Sequence, residues 1–300
     1  MVKRRSRNTP VVGTSISNVS MTYEIQFVYL FYYPTQDQIR SCVDLSKHFN
    51  TIVVDNTEKG TVVQNTKKYI GKQNTILYLP QDQNTGYAKG VNIGIREALK
   101  KNTEWMVVLN QDINITTHAI EKLAKNLRNL SPGIYGPFAG KLDPNRWTTI
   151  LLITGSPIPP IRRAGGSEMT EEYISGSCMA IHRDVIEKIG YFYEPYFMYY
   201  EDPDFCIRAK KAGFPLVHIP LGGIEHVDTP SLGKGSFLHE YYLARNHLLF
   251  VERMAPLRVK MYEYLRLPKT IYEYFVHHNS GGLAGLKDYF IRTFGEKRTT

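Results

Sequence analysis

The sequence predicts an α/β fold, a largely parallel, doubly wound sheet flanked by helices. Short β-branched and aromatic runs alternate with amphipathic helical patterns through the first 130 residues, the alternation that parallel sheets need for their crossovers. The run at 105–109 (WMVVL) is apolar throughout, as a strand covered on both faces must be.

In order, residues 25–33 (IQFVYLFYY) read as a strand that Pro34 ends. A helix over 36–49 turns Ile39, Val43 and Leu45 inward, and a second strand, 51–54, stops at Asp55-Asn56. A third strand covers 75–79. The helix at 86–101 carries Val91, Ile95 and Leu99 on one stripe. The strand at 105–109 ends in Asn110-Gln111-Asp112, and a helix follows over 116–129. In such sheets ligands bind beyond the carboxyl ends of the strands. Asp55-Asn56 and Asn110-Gln111-Asp112 both sit there.

Beyond 130 the pattern changes. Strands are expected at 135–143 and 147–156, then a Pro/Gly-rich loop over 157–167 bearing Arg162 and Arg163. The strand at 173–182 is interrupted by Gly176, a residue that often marks a bulge or a close approach by ligand. A strand at 215–219 and a loop at 220–235 containing Glu225-His226 precede a helix at 236–253. Residues 257–294 read as two amphipathic helices broken near Ser280-Gly281-Gly282. The organisation is therefore a disordered basic tail (1–20), an α/β domain (21–255) and a helical C-terminal extension (256–300).

The net charge of +9 is concentrated at the ends. Lys3, Arg4, Arg5 and Arg7 stand in the first 20 residues with no acid, and residues 251–300 hold 9 basic and 5 acidic residues. The near-neutral middle argues against a nucleic-acid-binding face. Basic amphipathic ends suit an anionic membrane surface; a homodimer contact through the same helices is an equally physical use of them. Three cysteines (Cys42, Cys178, Cys206) are too scattered for a disulfide framework or a zinc site. No apolar run approaches the ~20 residues needed to span a bilayer, and no signal-like segment is seen, so a cytoplasmic protein is expected.

The strongest chemical signal is residues 190–213, GYFYEPYFMYYEDPDFCIRAKKAG. An aromatic run delivers Glu201, Asp202 and Asp204 to the start of a helix, with Pro203 suited to its first turn and Gly213 stopping it. Carboxylates beside large apolar side chains have raised pKa values, as a working base needs. Elsewhere each signal has a bland alternative. Asp55 suits the imide N–H of a pyrimidine base, or a turn. Asn84–Gly94 (NTGYAKGVNIG) brings glycines to a helix N-terminus, where phosphate binds; Lys89 there meets a diphosphate or only solvent. Asn110, Gln111 and Asp112 offer oxygens to a hard divalent cation, or form a turn. His226 is a second candidate ligand.

These motifs occur together in one order: VVDN (53–56), NTGYAKGVNIG (84–94), LNQD (109–112), YISGSCMAIHRDVIEKIGYF (173–192), FMYYEDPDFCIRAKKAG (197–213), GGIEH (222–226) and YYLARNHLLF (241–250). Over residues 24–255 the chain resembles the rhamnosyltransferase-like branch of the family 2 inverting glycosyltransferases. The resemblance implies a GT-A fold, with a Rossmann-like, mostly parallel central sheet. It implies transfer of a sugar from a nucleotide-sugar donor, most simply rhamnose from dTDP-rhamnose, to a glycan or lipid-linked acceptor at the inner face of the plasma membrane. UDP-hexose and UDP-galactofuranose occur as donors in similar frameworks.

The resemblance also assigns roles. Asp55 corresponds to the base-binding aspartate, and Tyr33, Asn84, Gly86, Lys89, Asn110 and Gln111 to the nucleotide-sugar side. Asp112 and His226 would hold Mg²⁺ or Mn²⁺, with Asn110 standing where a first aspartate is usual. Asp202 corresponds to the catalytic base and Glu201 to its support, while Asp204 is left the role of helix cap. Gly176, Ser177 and the aromatics at 196–200, Tyr200 among them, border the acceptor. Arg245-Asn246 either closes over the diphosphate or staples its helix to the sheet. A sugar nucleotidyltransferase is a nearer rival than a non-catalytic polyanion- or membrane-binding protein. It would carry a Gly-rich, basic signature after the first strand, where this chain has Pro34-Thr35-Gln36-Asp37.

Overall fold

The computed structural model describes residues 24–152, 173–226, 233 and 235–297. The expected basic tail, the loop at 157–167 and much of the loop at 220–235 lie outside them.

The first half follows the expected alternation: β1 (Glu24–Phe31), α1 (Gln36–Ser46), β2 (Thr51–Asp55), α2 (Thr61–Ile70), β3 (Ile76–Pro80), α3 (Gly86–Leu99), β4 (Thr103–Asn110), β5 (Ile113–Ile115) and α4 (Thr117–Leu127). Thr35 caps α1 in a reciprocal capping box with Gln38, and Thr116 caps α4. Helix α2 was not anticipated. Its buried residues Val63, Thr66 and Ile70 stand at helical spacing, but Gly60 opens it without a side-chain cap.

The second half runs β6 (Ile134–Gly136), β7 (Ala139–Leu142), β8 (Thr149–Leu152), β9 (Tyr173–Ile174), β10 (Cys178–His182), α5 (Arg183–Ile189), a 3₁₀ turn (Glu194–Tyr196), α6 (Glu201–Lys211), β11 (Leu216–His218), β12 (Ile224–His226), α7 (Phe237–Met254), α8 (Leu257–Val276) and α9 (Ser280–Phe290). The single strand expected at 135–143 is two strands in different sheets, divided at Pro137. Proline has no N–H to give a ladder and forces the break. The 173–182 strand also divides, around Gly176, into strands of two sheets, and α5 was not anticipated.

The central sheet has seven strands in the order β11-β6-β10-β4-β1-β2-β3. Strands β4, β1, β2 and β3 are parallel, and β10 runs antiparallel to both its neighbours. Side chains alternate across it. Phe27, Tyr29 and Phe31 of β1 with Trp105, Val107 and Leu109 of β4 meet α1 and α4 on one face. Met106 and Val108 meet α3, α5 and α6 on the other. Two small sheets complete the fold: β12 pairs with β5, and β8-β7-β9 form a three-stranded unit.

The C-terminal helices differ from expectation in one respect. The break falls at residues 277–279, and the glycines lie inside α9. A Cβ on Gly281 or Gly285 would run into the backbone of α7 at Phe237 or Tyr241. The glycines are there to let two helices approach closely.

Candidate active site

The carboxyl ends of β1, β2 and β4, the N-termini of α3 and α6, and the start of β10 converge, and hydrogen bonds tie them together. Because β10 is antiparallel, its beginning lies at the end of the sheet where the parallel strands finish. Asn110, last in β4, donates its amide to the Ser177 carbonyl at 3.0 Å. The Gly176 amide donates to Asp202 Oδ2 at 3.2 Å, and the Gly176 carbonyl accepts from the Tyr87 hydroxyl at 2.6 Å. Tyr87 was not singled out from the sequence, although it sits inside the glycine-rich motif that was.

On the strand-end side, Asp55 is fully buried. Its Oδ1 accepts the Thr57 amide at 2.9 Å and its Oδ2 accepts the Tyr78 hydroxyl at 2.6 Å, which leaves each oxygen one acceptor position. Asn56 joins β2 to α3, giving its Nδ2 hydrogen to the Gly86 carbonyl at 2.9 Å and accepting from Thr85 Oγ1 at 2.7 Å. Gly86 has φ +77°, its amide donates to Asn84 Oδ1, and a Cβ on it would meet the Phe197 ring. Only glycine meets both demands. Tyr33 is half exposed with its amide donating to Thr57 Oγ1, and Lys89 is exposed on α3. Gln111 binds Tyr32 through both ends of its amide, accepting from its N–H at 2.8 Å and donating to its carbonyl at 2.9 Å. The side chain expected on the donor is thus committed to holding β1 against β4.

Asn110 Oδ1 is buried without a hydrogen-bond partner. Asp112 follows in the turn to β5. Pairing of β5 with β12 sets His226 opposite Ile113, so backbone register brings the two expected metal ligands to neighbouring positions. Among the described residues no cluster of three His, Cys, Asp or Glu assembles as a metal site.

The Glu201-Asp202 pair opens α6. Burial pushes the Asp202 carboxyl up to about 6, against the pull of the Gly176 amide. Glu201 is more deeply buried and rises well above the usual carboxylate range, first through burial and then through the charge of Asp202 beside it. Its Oε2 has no hydrogen-bond partner. Burial thus raises both carboxyls, Asp202 to about 6 and Glu201 well above its ordinary range.

Three sequence expectations are corrected here. Asp204 is not a helix cap. It is fully buried, with Arg208 Nε at 2.7 Å on one oxygen and Arg253 Nε at 3.0 Å and the Tyr196 hydroxyl at 3.1 Å on the other. Arg245 does not face a diphosphate. It is fully buried and gives its hydrogens to Asn246 Oδ1, the Tyr241 hydroxyl and the carbonyls of Pro195, Tyr196 and Gly295. Tyr200 does not offer its ring to an acceptor, because the ring packs inward against His247 and Phe250; Tyr196 and Phe197 are buried likewise.

The loop before α6 is strained. Phe197, Tyr199 and Tyr200 have φ of +67°, +64° and +72°, a region that costs a residue with a Cβ on the order of 1 kcal/mol or more. Asn246 holds it there: its Nδ2 lies 2.8 Å from the Tyr196 carbonyl, 2.7 Å from that of Met198 and 3.2 Å from that of Tyr199. Arg245-Asn246 is thus the staple of the two sequence alternatives, and what it staples is the segment that aims Glu201 and Asp202.

With this geometry in place, comparison with known proteins decides the family. A family model described as glycosyl transferase family 2 matches residues 34–190. The chain belongs to glycosyl transferase family 2. That match spans β1's exit, the glycine-rich turn, the Asn110–Asp112 turn and Gly176-Ser177, while Asp202 lies just beyond it. Among curated family relatives, the low-salt glycan biosynthesis hexosyltransferase Agl10 of Haloferax volcanii is 32 % identical over 161 residues, 51 % of this chain and 50 % of that protein. An N-acetylglucosaminyl-diphospho-decaprenol L-rhamnosyltransferase of Mycobacterium tuberculosis is 28 % identical over 197 residues, covering 56 % and 63 %. The dTDP-rhamnosyl transferase RfbF of Shigella flexneri is 27 % identical over 203 residues, covering 66 % and 67 %. The chain thus covers less than two thirds of the first two relatives. The crystal structure of GalNAc-T7 with UDP, GalNAc and Mn²⁺ superposes with a TM-score of 0.55 at 12 % identity, covering 86 % of this chain and 58 % of that one. That likeness shows a shared fold, the GT-A architecture expected from the motifs.

Proposed function

We propose that this family 2 member is an inverting glycosyltransferase that moves a sugar from a nucleoside-diphosphate donor to a hydroxyl of a glycan or lipid-linked acceptor. Rhamnose from dTDP-rhamnose is the donor that the named rhamnosyltransferase relatives favour. The observation that carries the reading is Asp202. It is a carboxylate raised to about 6 by burial, hydrogen-bonded to Gly176 and set where the parallel strands end.

In this mechanism Asp202 takes the proton of the acceptor hydroxyl as its oxygen attacks the anomeric carbon. The bond from that carbon to the diphosphate oxygen breaks, its electron pair leaves with the nucleoside diphosphate, and the configuration inverts. One base suffices, because a diphosphate leaves without the second carboxylic acid that glycosidases use. Glu201 lies beside Asp202 at the start of α6 and supports it. Gly176 and Ser177 border the acceptor, and Asp55, Tyr33, Asn84 and Gly86 line the donor side.

The residues present suit a hard divalent ion. Asn110 Oδ1 is a buried oxygen without a protein donor, and the β5–β12 register pairs His226 with Ile113, the residue after Asp112. Asp112 and His226, with Asn110, would hold Mg²⁺ or Mn²⁺, which supplies neutralisation of the diphosphate charge when bound. In this reading the enzyme works on the cytoplasmic side of the plasma membrane.

The test is a panel of nucleotide sugars, each scored for thermal stabilisation with and without Mn²⁺ and for released product. Free nucleoside diphosphate is expected, with dTDP-rhamnose giving the largest stabilisation. Release of pyrophosphate would identify a nucleotidyltransferase instead.

A further inference from the structure

Helix α8 has its polarity turned outside in. The residues it buries against the domain are Val259, Glu263 and Thr270, and Glu263 is there to pair with Arg146 at 2.8 Å. The opposite side holds large apolar residues in the open: Leu257 is 73 % exposed, Met261 52 %, Leu265 77 %, Tyr272 67 % and Phe275 70 %. At 100° per residue these five fall within an arc of about 80°, with Pro268 inside the helix on the same arc between Leu265 and Tyr272. A stripe of this size on an open surface marks an interaction face.

The charges beside the stripe select its partner. Arg258 and Lys269 flank it on one side and Lys260 on the other. The acids of the helix are withdrawn, Glu263 buried under Arg146 and Glu273 held by Arg266 at 3.1 Å, while Lys269, 3.8 Å from Glu273, stays 70 % exposed. Lys287 of α9 is exposed as well. A second copy of this chain docked through the same stripe would bring these cations against their own kind, whereas an anionic lipid surface takes both the apolar stripe and its basic margin.

We propose that α8 lies in the interface of an anionic bilayer, its Leu257–Phe275 stripe among the acyl chains and Arg258, Lys260 and Lys269 at the phosphates. The proposal does not rest on the sugar-transfer reading, since it concerns a face remote in sequence from Asp202 and its test needs no turnover.

The experiment is co-sedimentation of the full chain with vesicles of phosphatidylcholine alone or enriched in phosphatidylglycerol, at low and high salt. Sedimentation equilibrium is run without lipid. Binding to the anionic vesicles and a monomer in solution are expected. Leu265→Glu with Phe275→Glu lowers partition by roughly tenfold or more, and Arg258→Glu with Lys269→Glu by roughly tenfold with most of the salt dependence lost. All four positions are exposed, so circular dichroism should report an unchanged fold. Failure to bind anionic vesicles, or equal partition of the apolar variant, overturns the proposal. So does a dimer that Leu265→Glu dissociates, which would make the stripe a contact between copies.

Discussion

The Tyr87 hydroxyl and the Gly176 carbonyl meet at 2.6 Å, so the N-terminus of α3 is bonded to the residue whose amide reaches Asp202. Tyr87→Phe keeps the ring and removes that bond, leaving a buried carbonyl unsatisfied at a cost of about 1–3 kcal/mol. The expected outcome is kcat down roughly tenfold with KM for the donor little changed, and a displaced acid limb in the pH profile. Steady-state kinetics across pH checks it; an unaltered profile would reduce Tyr87 to packing.

Asp202→Asn should lower kcat by about 10²–10⁴, the usual worth of a general base, while thermal stabilisation by the nucleoside diphosphate persists. Transfer at the parental rate would remove Asp202 from the mechanism.

The pH dependence follows from the same group. As a base it works deprotonated, so kcat/KM should climb as pH rises through about 6 and then level. Stability runs the other way. The folded carboxyl holds its proton to a higher pH than the unfolded one, so folding loses stability as pH rises from the ordinary aspartate value of 3.8 to about 6. Asp202→Asn should therefore raise the Tm at neutral pH, by roughly 2–4 °C per kcal/mol recovered, and leave it unchanged below that window. Paired melting curves at acid and neutral pH read this directly.

Asp204→Asn separates a cap from a buried ionic node. Loss of a cap costs about 1 kcal/mol, whereas two guanidinium groups deprived of their shared buried carboxylate cost about 3–5 kcal/mol. Urea unfolding should return the larger figure. Asn246→Ala should be comparably damaging, because it takes the side-chain donor from the Met198 and Tyr199 carbonyls, leaves Tyr196 to Arg245 alone among side chains, and lets the positive-φ residues Phe197, Tyr199 and Tyr200 relax. Its residual activity should fall further than its stability explains.

Metal dependence is the last expectation. Chelation with EDTA should stop transfer, added Mn²⁺ should restore it, and Asp112→Asn should raise the Mn²⁺ concentration needed for half-maximal rate. Full activity in EDTA would leave Asp112 and His226 without the role assigned to them.

Much of the architecture was legible because its signals are local. An apolar run such as 105–109 can only be a covered strand, and an Asp-Asn or Asn-Gln-Asp following one marks a strand end. What was missed depends on contacts between distant residues. Helix α2 buries Val63, Thr66 and Ile70 at helical spacing, but it opens at Gly60 with no side-chain cap, so its start carries no N-cap signal. Gln111 looked like a ligand because its two bonds to Tyr32 cross 79 residues. Arg245 could be read as closing over a diphosphate because nothing in the sequence says that the carbonyls at 195, 196 and 295 gather around it. The acidic trio shows the limit well: three carboxylates within four residues have one composition and three environments. Asp202 is half-buried, Glu201 is buried without a full set of partners, and Asp204 is held by two arginines.

The place of β10 has a consequence for how the chain is made. Strand β4 lies inside the sheet between β1 and β10, yet β10 begins only at Cys178. Until that residue leaves the ribosome, β4 presents an open, apolar edge with unpaired amides and carbonyls, a template for the wrong partner. A fragment ending after α4 would expose this edge permanently and should aggregate. The part of the chain that holds Asp55 and Asp112 must wait for the part that brings Asp202.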